Sequence, residues 1–301
     1  SIFRFYKLRQ RSKFPIQIQI ETTSVCNSQC IICPHKNMTR PKKHMDFDLF
    51  KKIINDCADH KKYIKNIALF FMGEPFLAPR IFDEIAYAKA QGIKNLSLVS
   101  NGSVLTEDKS KKLLKSGLDK IIFSVDGATK EIFEKVRVGL NFDDVIRNIT
   151  ALIELKKETK FKKPQIIIEM VVSPQITEEE IKKFHAKWDQ LVDEVICRRL
   201  YNFSGMDLDY VADNGKNPYP CPYLWKSFEI LQDGRVALCC VDSEGRHIIG
   251  DVNKQSISDI WHGKDLMNYR FFHLAGHNKD INLCSSCDFY KTKSKPWWWY
   301  N

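Results

Sequence analysis

Ile16-Gln-Ile-Gln-Ile-Glu-Thr-Thr-Ser-Val-Cys26-Asn-Ser-Gln-Cys30-Ile-Ile-Cys33 sets a β-branched run directly before three closely spaced cysteines. The run reads as a strand and the cysteines as the loop that leaves its carboxyl end. Working outward, apolar β-branched runs recur at residues 67–71, 96–100, 120–125, 165–172 and 194–200. Between them lie amphipathic stretches. In the first, Asp46 is placed to cap a helix whose Phe47, Phe50, Ile53, Ile54 and Cys57 share one face. Others span residues 81–91, 106–116, 143–157 and 178–190, and Gly92 and Gly117 stand where two of them should end. Six β-α repeats predict an α/β fold, a parallel sheet with helices on its outer face. Periodicity does not separate an open sheet from a partial barrel, but either puts the working residues at the carboxyl ends of the strands.

Composition narrows the class. The chain has 301 residues, 44% of them hydrophobic, enough for one large domain or for a domain with an appendage. No apolar run is long enough to span a membrane; the longest lies near residues 67–72. Residues 1–15 form a basic, aromatic extension without the apolar centre of a secretory signal. The formal net charge of +10 comes from lysines spread along helical stretches, with no nucleic-acid-binding signature beside them. Ten cysteines say more, because seven fall into two groups, 26/30/33 and 221/239/284/287. Grouped thiols without a signal peptide read as metal ligands in a reducing cytoplasm.

Thiolates are soft ligands suited to iron–sulfur clusters. Three of them on a four-iron cubane leave one iron without a protein ligand. A zinc site is the alternative, and His35 is the nearest fourth ligand in sequence. Cys221, Cys239, Cys284 and Cys287 provide four thiols, enough to saturate a second cluster or a structural zinc.

The first group, Cys26-Asn-Ser-Gln-Cys30-Ile-Ile-Cys33, resembles the signature of the radical S-adenosylmethionine (SAM) superfamily. Phe71-Met72-Gly73-Glu74-Pro75 resembles that family's Gly-Gly-Glu-Pro motif, with Met72 in the place of the first glycine. Ser100-Asn101-Gly102 and Ser124-Val125-Asp126-Gly127 look like its SAM-contacting strand ends, and Arg137 and Glu169 are further carry-overs. Singly, each motif reads as an ordinary turn or strand end; their order behind the cysteine loop favours the resemblance. It implies a partial (β/α)6 barrel over residues 16–200 and a [4Fe–4S] cluster on Cys26, Cys30 and Cys33. It also implies that SAM, held by Gly73, Glu74, Pro75, Ser100, Asn101, Ser124, Asp126, Arg137 and Glu169, is cleaved to a 5′-deoxyadenosyl radical.

Past a Gly/Asn/Asp/Pro-rich linker at 201–220, the run Cys221-Pro-Tyr-Leu-Trp225, Asp233-Gly-Arg-Val-Ala-Leu-Cys239 and Cys284-Ser-Ser-Cys287 resembles the SPASM/twitch module. With no cysteine after Cys287, the one-cluster twitch form is implied, a second [4Fe–4S] cluster over residues 221–290 before a tail at 291–301. Residues 228–231 and 236–239 read as a hairpin, and 256–262 as the start of a helix. Cys57 and Cys197 read as core; Cys240 either packs near the second cluster or donates a hydrogen atom to a substrate radical. Arg198 and Arg199 alternate along a strand, so only one can face the barrel and hold a hydroxyl, carboxylate or phosphate. Trp297, Trp298 and Trp299 could cover the barrel mouth or a partner.

The cysteine pattern is also similar to that of the superfamily's deoxy-scyllo-inosamine dehydrogenases. This implies oxidation of a secondary alcohol on a small polyhydroxylated substrate, with a flavodoxin- or ferredoxin-type electron donor. A peptide-modifying epimerase or crosslinking maturase is the second expectation, and a non-catalytic metal protein with an acidic partner the third.

Overall fold

A computed structural model describes residues 13–203 and 220–288. Six parallel strands come first: β1 (Gln17–Ile20), β2 (Asn66–Ala68), β3 (Leu96–Ser100), β4 (Lys120–Ser124), β5 (Gln165–Val172) and β6 (Glu194–Arg199). Helices α1 (Phe47–Asp59), α2 (Ile81–Ala90), α3 (Glu107–Lys115), α4 (Lys130–Val136), α5 (Phe142–Thr159) and α6 (Glu178–Trp188) connect them. The expected alternation is there. The short α4, ahead of α5, is an addition whose seven residues give too little periodicity to read. β2 ends at Ala68, so the Phe71–Pro75 motif lies on the loop beyond the strand and not at its last residues.

Local chemistry accounts for the helices. The Asp46 carboxylate accepts the backbone N–H groups of Asp48 and Leu49 at the start of α1, whose Phe50, Ile53, Ile54 and Cys57 are buried. Thr106, Asn141 and Thr177 cap α3, α5 and α6 in the same way. Gly92 and Gly117 follow α2 and α3 with φ of +77° and +78°, a left-handed backbone that favours glycine.

The second unit is not a separate layer. Beyond Pro220, β7 (Ser227–Ile230) pairs in parallel with β1 and continues antiparallel into β8 (Arg235–Ala237) and β9 (Ile248–Asp251). One nine-stranded sheet therefore runs β6-β5-β4-β3-β2-β1-β7-β8-β9. β1, with Ile18 and Ile20 fully buried, has β2 on one edge and β7 on the other, so β6 does not close on it. The expected hairpin turns at Asp233-Gly234. Helix α7 (Ile257–Trp261) starts on a Ser256–Asp259 capping box. α8 (Lys264–Leu274) and α9 (Asn282–Ser285) complete the unit. One main core joins both units, from Phe50 and Phe123 to Phe228 and Trp261. Most of the linker and tail, with Trp297, Trp298 and Trp299, lie outside the described residues. No helix among the described residues is long and apolar enough to cross a membrane.

Candidate active site

The loop from β1 carries Cys26, Cys30 and Cys33 over the carboxyl end of the sheet. Ser28, inside the C-x3-C spacing, lies 3.3 Å from the sulfurs of both Cys26 and Cys30 through its hydroxyl. Burial raises the Cys26 thiol and pushes Cys33 up to about 12, so Cys33 does not ionise unaided at neutral pH. A metal centre taken up here must displace thiol protons. His35 is buried, and its Nε2 donates to the Ser24 carbonyl at 2.9 Å. Among the described residues no three His, Cys, Asp or Glu side chains converge as a single-ion site, so His35 is not placed as a fourth zinc ligand to this group.

The β2 loop passes hard against the cysteine loop. A Cβ on Gly73 would stand 2.2 Å from the Thr23 carbonyl oxygen and 2.8 Å from that of Val25, so only glycine fits. The next residue, Glu74, donates its N–H to the Val25 carbonyl at 2.8 Å. Its buried carboxylate accepts the Asn101 N–H at 2.7 Å, the Ser100 hydroxyl at 2.8 Å and the Phe76 N–H at 3.1 Å. Burial raises its pKa against those bonds. Pro75 opens the 3-10 turn that follows. Met72, at the first-glycine position, donates its N–H to Glu21. Asn101 Nδ2 then donates to Asn27 Oδ1 at 3.0 Å, tying the end of β3 to the cysteine loop.

The β4 side is held by charge. Arg137 donates to the fully buried Asp126 through Nε at 2.7 Å and Nη2 at 2.6 Å, and its Nη1 lies 3.8 Å from Cys30 Sγ. Burial opposes the guanidinium charge, but the Asp126 carboxylate holds it firmly on. Ser124 pairs in register with Glu169 on β5. Glu169 forms an ion pair with Arg198 of β6; burial raises the Glu169 carboxyl although Arg198 opposes this. Val171 pairs with Arg198 and packs with Leu200 against the Cys30 loop, so Arg198 is the arginine on the inner face. Its side chain is 47% exposed, while Arg199 points the other way to Asp288.

A small cavity in the C-terminal unit gathers Cys221, Cys239, Cys240, Cys284 and Cys287, with Tyr223 and His273 in its wall. Burial pushes Cys221 up to about 12 and raises the thiols of Cys239, Cys240 and Cys284. Cys240 thus shares the wall with the four expected ligands. Cys57 is core, whereas Cys197 is half-buried with its sulfur 3.6 Å from His185 Nε2. The donor sets fit iron–sulfur chemistry: three thiols on one loop, and a chamber walled by five.

Several residues had no signal in the sequence. Arg40 bridges the units: it forms a buried pair with Glu21 at 2.5 Å, donates to Gln232 at 2.8 Å and reaches the Ser243 carbonyl at 2.7 Å. Glu244 accepts from Thr39 and Arg40 in return. Only Ser28 was legible in principle, as the hydroxyl inside the C-x3-C loop.

Residues 20–187 match the Radical SAM superfamily and residues 221–288 the SPASM iron–sulfur cluster-binding domain. The tungsten-containing aldehyde ferredoxin oxidoreductase cofactor-modifying protein of Pyrococcus furiosus is 24% identical over 93% of this chain and 91% of its own length. The S-adenosyl-L-methionine-dependent 2-deoxy-scyllo-inosamine dehydrogenase of Niallia circulans is 24% identical over 90% of this chain and 92% of its own. The structure of that dehydrogenase, BtrN, with AdoMet and 2-DOIA superposes with a TM-score of 0.64 at 20% identity, covering 92% of this chain and 94% of BtrN. Streptococcus suis SuiB bound to its precursor peptide SuiA gives 0.72 at 14% identity, over 97% of this chain and 74% of SuiB. With a match across more than half of its length and both cysteine groups set in the matching domains, the chain belongs to the radical SAM superfamily as an enzyme with two iron–sulfur clusters and S-adenosylmethionine as cofactors.

Proposed function

We propose that this enzyme oxidises a secondary alcohol of a small polyhydroxylated molecule, a sugar or cyclitol, and passes one electron to the second cluster. The observation that carries the reading is the buried cysteine chamber. Four thiols saturate a cluster and leave no open iron for substrate, so a site walled off in this way is suited to electron transfer. Residues 16–200 are read as the catalytic barrel, residues 201–220 as the linker and residues 221–290 as the auxiliary unit. Both relatives matched over nine-tenths of their length carry names that point to a small molecule: one is a dehydrogenase of an inosamine, the other modifies a cofactor.

Bound in place, the first cluster and SAM supply a hydrogen-abstracting radical, and the second cluster a one-electron sink. The chain's own residues do the rest. Cys26, Cys30 and Cys33 hold the first centre, with Arg137 balancing negative charge beside Cys30. Gly73, Glu74, Pro75, Ser100, Asn101, Ser124 and Asp126 shape the cofactor cradle. Glu169 belongs to the SAM cradle as well, and Arg198, paired with it on the inner face, offers donors to substrate hydroxyls and keeps part of its guanidinium open for this. Oxidation to a ketone removes one hydrogen atom, one proton and one electron, and Cys221, Cys239, Cys284 and Cys287 hold the acceptor. Cys240 serves as packing, and a flavodoxin- or ferredoxin-type protein supplies the reducing electron.

The likeness to SuiB favours a second reading, modification of a peptide. The test is a SAM-cleavage assay on anaerobically reconstituted enzyme against sugars, amino sugars, cyclitols and candidate precursor peptides, with product mass read alongside. Loss of two mass units from a polyol supports oxidation; modification of a peptide with every polyol untouched overturns it. Hydrogen from solvent appearing in an unoxidised product, and lost in Cys240→Ala, would assign Cys240 as a hydrogen donor instead.

A further inference from the structure

α8 brings His273 against the cysteine chamber. Nδ1 of this buried ring accepts the backbone N–H of Cys221 at 3.3 Å, and Nε2 lies 3.4 Å from Cys284 Sγ. A backbone N–H can only donate, so Nδ1 must present its lone pair. The neutral ring then carries its proton on Nε2, the atom that faces the sulfur. The imidazole therefore ties Cys221 to Cys284 from one fixed orientation. Leu224, Leu238, Val241 and Leu283, also in the chamber wall, are apolar. In such surroundings a donor aimed at a ligand sulfur is a strong lever on the cluster, because hydrogen bonds to thiolate stabilise the more negative, reduced state.

We propose that His273 is a positioning residue of the second iron–sulfur site, donating Nε2–H to the Cys284 sulfur and raising the potential at which that cluster accepts an electron. The proposal rests on the reading of Cys221, Cys239, Cys284 and Cys287 as cluster ligands. It adds how the acceptor is tuned to its task.

The experiment uses the full chain with Cys26, Cys30 and Cys33 changed to Ala, which isolates the second cluster. After anaerobic reconstitution, iron is counted and the cluster is titrated under electron paramagnetic resonance, for this parent and with His273→Gln or His273→Phe added. Gln keeps an N–H donor and Phe has none. The Phe variant is expected to shift the reduced-to-oxidised ratio at a fixed potential about tenfold toward oxidised, about 59 mV for a one-electron couple. The Gln variant should stay nearer the parent. Pulsed spectra of the reduced parent labelled with 15N-histidine should show a nitrogen coupling that His273→Gln removes, a readout that stands if the Phe variant takes up no iron. Identical potentials in all three chains, or no histidine coupling in the parent, overturn the proposal and leave the cluster reading intact. A parent without iron overturns the cluster reading, and this proposal with it.

Discussion

The two cysteine groups belong to one sheet, the first on the loop that leaves β1 and the second beside the β7-β8 hairpin, and they are built on different plans. The first is carried on a loop at the carboxyl ends of parallel strands, braced by its neighbours: Gly73 against Thr23, Asn101 on Asn27, Arg137 beside Cys30. The braces come from three different places, the loop after β2, the end of β3 and the C-terminus of α4. The second is a chamber made by a hairpin, two helices and the segment before Asp288, with all five thiols turned inward. On the proposed reading the first plan serves binding and cleavage and the second electron transfer.

The comparison breaks most visibly at the thiols themselves. Wild type should hold roughly eight irons after reconstitution, and either alanine set, Cys26/Cys30/Cys33 or Cys221/Cys239/Cys284/Cys287, roughly four. SAM cleavage is expected to vanish only with the first set. With the second set, cleavage should persist while oxidised product falls away. Cleavage lost equally in both sets would mean that the chamber supports the first centre structurally, and the division of labour would fail.

Next in size is the strut between the two plans. Arg40 leaves the first loop's side and pairs with Glu21 at the end of β1 while bonding Gln232 and Ser243 in the second unit. Arg40→Met strands the Glu21 carboxylate in a buried site, and breaking such a pair costs about 3–5 kcal/mol. Urea unfolding of the apo-protein checks this. Loss from both units together is expected, since β7 pairs directly with β1. Separate transitions for the two units would show that the sheet does not couple them.

A smaller contrast concerns neighbouring arginines. Arg198→Ala should raise KM for the polyol about tenfold or more, the worth of a hydrogen bond to a charged group, and also cost stability, because it leaves the buried Glu169 carboxylate without its partner. Arg199→Ala should leave KM alone and cost about 1 kcal/mol, since Asp288 keeps its bond to the Asn202 N–H. The reverse pattern would exchange their assignments.

What the sequence revealed follows from where the information lies. Strands, caps and the cysteine spacings are local, so β3 and β5 match their expected bounds and Asp46 caps as expected. Glu74, Asn101 and Asp126 could be named from the sequence because each sits within a short motif, whereas Arg137 came only from the family resemblance. Contacts between distant segments were not. Nothing near Arg40 announces Gln232, because that meeting depends on β7 adding to the edge of β1, and nothing near His273 announces Cys284, because that one depends on how the chain turns between α8 and α9. The hairpin was legible, but its attachment to the barrel sheet was not.

The smallest effect lies outside both centres and supplies a baseline for them. Glu84 on α2 is buried, its Oε2 has no hydrogen-bond partner, and burial, helped by Asp83, pushes its carboxyl from 4.5 up to about 8. The native state therefore keeps a proton that the unfolded chain gives up above pH 4.5. Its contribution to stability is full below that value and is lost as the pH rises through about 8. Glu84→Gln, which does not ionise, escapes the loss. Its thermal midpoint relative to wild type should climb by several °C between about pH 5 and about pH 8.5, while iron content stays at the wild-type value. A difference that stays flat with pH would mean that Glu84 finds a charge partner or water in solution. A fall in iron would mean that the helix layer, and not only the two cysteine sites, governs cluster uptake.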